Sequence, residues 1–194
     1  GAAVNGTNLE GTDPLGTGTP NSTFVGYAAG SGSNNLYMTS GIYIGEKAGA
    51  LASGLNNSIF IGKRAGYHAI QSGEVPGKGV TDATAFKLQR FDNIAIGRSS
   101  IESSFSTDKS ISIGTEAGFK GSGIEESVII GYQAAKHIVS AESSILIGED
   151  VVTNATGVNS NILIGKQAGS GVRYVKGSYG IGDSVFRHSS GNVS

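Results

Sequence analysis

The chain runs to 194 residues, with 32 glycines, no cysteine and a formal net charge of −1. Absent cysteines exclude a disulfide framework, thiolate metal sites and a cysteine nucleophile, and the near-neutral charge leaves no field to draw in nucleic acid. Charged residues make up only 15%, so Ser, Asn, Thr and Gly must carry the surface, and no apolar run approaches the roughly 18 residues needed for membrane insertion.

In chain order, residues 1–20 read as a Gly/Thr-rich lead-in, residues 21–186 as a repeat region and residues 187–194 as a tail. Within the repeat region a glycine preceded by Ile or Val recurs at 26, 45, 62, 97, 114, 131, 148, 165 and 182. The last six of these are spaced by 17 residues, and the first two gaps are 19 and 17. The remaining gap of 35 is one repeat plus 18 extra residues, placed as an inserted loop at about 73–90. Each unit reads S/N-I-x-I-G-x-x-A-G, as in Ser127-Val128-Ile129-Ile130-Gly131 and Ser144-Ile145-Leu146-Ile147-Gly148. The variable stretch after it carries one further apolar position, at Leu36, Leu55, Ile124, Val158 and Val175, with Ala141 and Thr107 as weaker members.

Period-2 alternation ending on a glycine predicts a short β-strand followed by a turn, and no window free of glycine carries a helical period. One such unit per 17 residues predicts an all-β fold, a parallel β-solenoid (β-helix) whose coils stack Ile on Ile and Ala on Ala. On this reading the paired isoleucines of each strand, such as Ile111 and Ile113, face inward. The residue between them then faces out: Phe24, Tyr43, Phe60, Ile129, Leu146 and Leu163. Such an apolar stripe calls for another chain to cover it, and identical chains about a three-fold axis would do so, giving a fibrous homotrimer.

These units resemble the N/S-x-x-I-G-x-x-A-G repeats of tail-fibre and tailspike proteins of tailed bacteriophages, and more distantly the N-S-x-A-I-G repeats of trimeric autotransporter adhesin heads. The first resemblance implies a homotrimeric, virion-borne fibre segment. It would join other tail proteins and bind host receptors, bacterial surface polysaccharide or lipopolysaccharide, with no cofactor. The second implies an adhesin head on the bacterial cell surface, and a third possibility within the first family is a tailspike that depolymerises polysaccharide. The I-G-x-x-A core also resembles the hexapeptide repeat of left-handed β-helix acyltransferases, but positions six and twelve residues onward do not restore it.

The inserted loop is where binding is expected, since solenoid insertions project from one face. Lys78, Lys87 and Arg90 with Phe86, beginning just after Tyr67, would grip a sugar through hydrogen bonds and ring stacking. His68, His137 and His188 each fall six residues after a repeat glycine, an equivalent place on three non-adjacent coils, and read as a solvent-facing loop position. Catalysis has little support: the carboxylates are scattered, and no G-x-S-x-G elbow, Walker loop or H-E-x-x-H occurs.

Overall fold

The computed structural model describes residues 22–31, 40–52, 57–69 and 92–188, so the expected lead-in and most of the expected tail lie outside the described residues. Among these residues it holds fourteen strands: β1 (Thr23–Val25), β2 (Ile42–Ile44), β3 (Ile59–Ile61), β4 (Ile94–Ile96), β5 (Phe105–Asp108), β6 (Ile111–Ile113) and β7 (Ser122–Glu125), then β8 (Val128–Ile130), β9 (Val139–Glu142), β10 (Ile145–Ile147), β11 (Thr156–Asn159), β12 (Ile162–Ile164), β13 (Arg173–Lys176) and β14 (Tyr179–Ile181). Nine of them, β1, β2, β3, β4, β6, β8, β10, β12 and β14, stack in that order into one all-parallel sheet. The other five form a second parallel sheet, β5 to β13. From β5 onward each coil passes once through each sheet, the pattern of a two-sided β-solenoid, and no helix occurs among the described residues. Ile59 pairs with Ile94, so the first sheet continues there without a missing rung, while the expected insertion at about 73–90 lies outside the described residues.

The nine repeat glycines explain the tightness of the stack. All lie at φ between 129° and 144°, a region essentially closed to residues with a Cβ. A Cβ on Gly26 would also stand 2.6 Å from the carbonyl oxygen of Gly45 in the next coil, and the same collision repeats along the column as far as Gly165 against Gly182. Both conformation and close approach of the backbone demand glycine here. The small residue three positions later, Ala48, Ala65, Ala117, Ala134 or Ala168, is fully buried in the narrow corner.

The direction of the strands is opposite to the expectation. Tyr43, Phe60, Ile129, Leu146 and Leu163 are 0% exposed and fill the interior, so they are no stripe between chains. The isoleucines on either side face out: Ile42, Ile44 and Ile145 are 37–39% exposed and most of the others half-buried. The reason lies one residue before each strand. Ser22, Ser58, Asn93, Ser110, Ser127, Ser144, Asn161 and Ser178 are buried, and they share the parity of the middle residue. Burying a column of polar side chains is tolerated because hydrogen bonds tie it to the coils around it. The Ser127 hydroxyl shares its proton between the carbonyls of Glu125 (2.8 Å) and Ala141 (3.1 Å) and accepts from the Ser144 N–H (3.1 Å). Asn161 does the same with two atoms: its Nδ2 donates to Val175 O and its Oδ1 accepts from Ser178 N, each at 2.8 Å. The one exception, Gly41, has a reason: a Cβ there would run into the ring of Tyr43.

Between the sheets the further apolar positions of the variable stretch, Ile124, Ala141, Val158 and Val175 at 0% and Thr107 at 3% exposed, lie inward on the second sheet and meet the middle column, which the sequence reading places outside. Leu36 and Leu55, expected in the same column, lie outside the described residues. The interior is compensated coil by coil. Where the middle residue is aromatic (Phe24, Tyr43, Phe60), the position four after the repeat glycine is Gly30, Gly49 or Gly66, and a Cβ there would collide with that ring. Where the middle residue is Ala95, the position holds Ile101, 2% exposed; where it is Gly180, it holds Phe186. Position four is left-handed throughout, and Ile101 and Val152 adopt φ of 46° there. A β-branched residue pays about 1–2 kcal/mol for that conformation. Full burial offsets it with roughly 1.5–3 kcal/mol. Ser112 with Gly118 is the thin point, where Ile101 and Ile124 lean in, and it separates an aromatic core cluster from an aliphatic one.

Candidate functional site

The turn that follows each repeat glycine forms an outer corner of the solenoid. Its second and sixth positions are left-handed in the described coils, most at φ near 55°. This explains the histidine coincidence, since His68, His137 and His188 all occupy the sixth position, at φ of 53°, 56° and 55°. All three are exposed, as the sequence predicts. Their coils are separated by coils carrying Ser103 and Lys120, or Asn154 and Gly171, so the three imidazoles do not meet. Among the described residues no three His, Asp or Glu side chains gather to hold a metal ion.

Of the residues expected to bind, Tyr67 is described, and Lys78, Phe86, Lys87 and Arg90 lie outside the described residues. Tyr67 sits at the fifth corner position, half-buried, on the last coil before the insertion. The Arg64 guanidinium lies 4.6 Å above its ring, and the same guanidinium forms an ion pair with the buried Glu102 of the next coil. His68 tilts alongside at 6.4 Å between ring centroids. The tyrosine is thus a braced ring with a fixed cation on one face.

One coil beyond Glu102, the same corner position holds Phe119, and here the structure assembles a second cluster that the sequence motifs do not single out. His137 meets the ring edge-on, 5.8 Å between centroids and 89° between planes. Lys120 and Lys136 bring their ammonium groups to 5.2 and 5.5 Å from its centroid. Glu116 anchors the arrangement, accepting from Lys136 at 2.7 Å and from Gln133 at 2.8 Å. Its hydrogen bond from Lys136 holds the carboxyl below the usual range, against a smaller desolvation effect. The imidazole of His137 is pushed down in pKa by partial desolvation first and by Lys136 and Lys120 second. It is therefore held toward the neutral form, which can both donate and accept.

Together these residues make a strip along one corner, with aromatic faces on Tyr67 and Phe119 two coils apart, about 10 Å at the usual strand spacing. Arg64, Lys120, Lys136 and His137 supply donors beside them. Aromatic faces with hydrogen-bond donors are the groups that hold sugar rings or anionic ligands. The missed signal was in the sequence: Tyr67, Phe119 and Lys136 share the fifth position and His68, Lys120 and His137 the sixth, so a column-by-column reading puts them side by side. No protein-family model, curated protein or solved structure matches this chain.

Proposed function

We propose that this chain is a rigid, self-associating shaft segment of a receptor-binding fibre, of the kind carried on the virions of tailed bacteriophages. It assembles as a homotrimer with other tail proteins and contacts bacterial surface polysaccharide or lipopolysaccharide. The observation that carries the reading is the corner strip of Tyr67 and Phe119 flanked by Arg64, Lys120, Lys136 and His137, set on an unbroken stack of coils beside the point where the 73–90 insertion enters the sequence. A solenoid of parallel coils resists bending because each inner coil is hydrogen-bonded to two others along its length, and repetition about a symmetry axis would present several weak sugar contacts at once.

The test is binding of the whole chain to bacterial cells and to a glycan array. Binding should fall about tenfold with Tyr67→Ala or Phe119→Ala. It should also fall when residues 73–90 are deleted so that Ile59 and Ile94 still pair. A chain that binds no surface glycan defeats the reading. Release of new reducing ends from a bound polysaccharide would instead assign the depolymerising tailspike.

A further inference from the structure

The outer face of the nine-stranded sheet is unusual for a surface in water. The first and third residues of every strand form two columns that are Ile or Val except at Thr23 and Tyr179. No charged side chain interrupts them over nine rungs, about 38 Å at the usual strand spacing. With Val25 47%, Ile42 39%, Ile145 38% and Ile181 77% exposed, the face is open along its whole length. Eighteen such positions, leaving on the order of 50 Å² each, expose roughly 900 Å², close to the ~800 Å² that one partner contributes to a stable interface. The columns are bordered on both sides by mostly exposed polar positions, two residues before each strand and two after it, which is the apolar-centre, polar-rim anatomy of an interface.

The rim also says which occupant and in which direction. If a second copy packs with its coils parallel and level, rotated about an axis along the solenoid, the position two before a strand on one chain meets the position two after the strand on the other. At seven of the eight described levels one member of that pair is uncharged, and at the eighth Asp92 meets Arg98. Neither Asp92 nor Arg98 has an ion-pair partner within its own chain among the described residues. An antiparallel packing centred on the middle coil would set Asp92 against Glu126 and Lys109 against Lys109 on one rim. On the other it would set Glu46 against Lys166 and Lys63 against Glu149, charges that are already paired within the chain as Lys63–Glu46 and Lys166–Glu149, so it leaves the unpaired Asp92 facing a like charge. We infer that the isoleucine face is the interface between copies of this chain, with coils parallel and in register and Asp92 of each chain beside Arg98 of its neighbour. The inference rests on the self-association in the reading above and deepens it by naming the surface and the direction.

Sedimentation equilibrium of the whole chain and of three variants tests it, with circular dichroism confirming β-structure in each. The parent should sediment as an oligomer, and Ile113→Lys/Ile130→Lys should sediment as a folded monomer of 19.6 kDa. Asp92→Lys should weaken association about tenfold, and Asp92→Lys/Arg98→Glu should restore most of it. An antiparallel pairing would be strengthened by Asp92→Lys, because the new lysine would face Glu126, and that result overturns the parallel register. A parent oligomer that survives the isoleucine substitutions overturns the interface while leaving self-association standing. A monomeric parent removes self-association itself.

Discussion

Volume compensation across the solenoid interior makes a sharp prediction at Ala95 and Ile101. Ala95 lies directly on Phe60 in the sheet register, at the end of an aromatic run in which Phe24 and Tyr43 stack at 4.9 Å and Tyr43 and Phe60 meet edge-on at 5.4 Å. Ala95→Phe alone inserts a ring into the space that Ile101 fills, an overpacking worth about 1–3 kcal/mol. Ile101→Gly alone removes a buried isoleucine, a loss of about 2–5 kcal/mol less the ~1 kcal/mol or more of left-handed strain it relieves. Made together, the changes recreate the Phe60–Gly66 arrangement one coil further on, with the new ring extending the aromatic stack. The double variant should therefore lie within about 1 kcal/mol of the parent, with a coupling on the order of 2–3 kcal/mol. Urea unfolding followed by far-ultraviolet circular dichroism measures all four corners of the cycle. Losses that simply add, within about 0.5 kcal/mol, would refute the claim that these two positions share one space.

Three further outcomes follow from the coil geometry. Gly131→Ala should prevent stable stacking, at a cost of more than about 3 kcal/mol, because its φ is 141° and the new Cβ would strike the Gly148 carbonyl; Gly177→Ala, with nothing within 4 Å, should cost only about 1 kcal/mol in thermal unfolding. Ser127→Ala leaves the buried Ser144 N–H without its acceptor and should cost about 1–3 kcal/mol, whereas Ser127→Asn, copying Asn93 and Asn161, should hold the urea midpoint near the parent's. Acidification should erode stability in two windows. The folded pKa of His137 lies below the ordinary 6.5, so its contribution is full above that pH and is lost as the pH falls through it; the lowered Glu116 contributes fully above 4.5 and is lost on further acidification. His137→Gln should abolish the upper window alone in urea titrations across pH.

The period, the glycine column, the alanine corner and the further apolar position of the variable stretch were all legible in the sequence. Each reflects a constraint local to one position, such as a φ that only glycine adopts or a corner too narrow for more than a methyl group. The gap between Gly62 and Gly97 was legible as longer than one repeat, and Ile59 pairs directly with Ile94 across it. The facing of the strands was decided only by tertiary structure. Ile145, Leu146 and Ile147 are all apolar, so alternation offers no polar residue to mark the solvent side. The preceding Ser144 shares the facing of Leu146, and taking that side as outward turns the isoleucines in. Its hydrogen bonds to Glu142 and Val158 and from Asn161 come from the coiling and stacking of the chain, and they allow a hydroxyl to lie inside. The same stacking brings Phe119, Lys136 and His137 together, because residues about 17 apart become neighbours only when coils lie on one another. Sequence determined what each coil is made of; the contact between coils determined which side of it meets water.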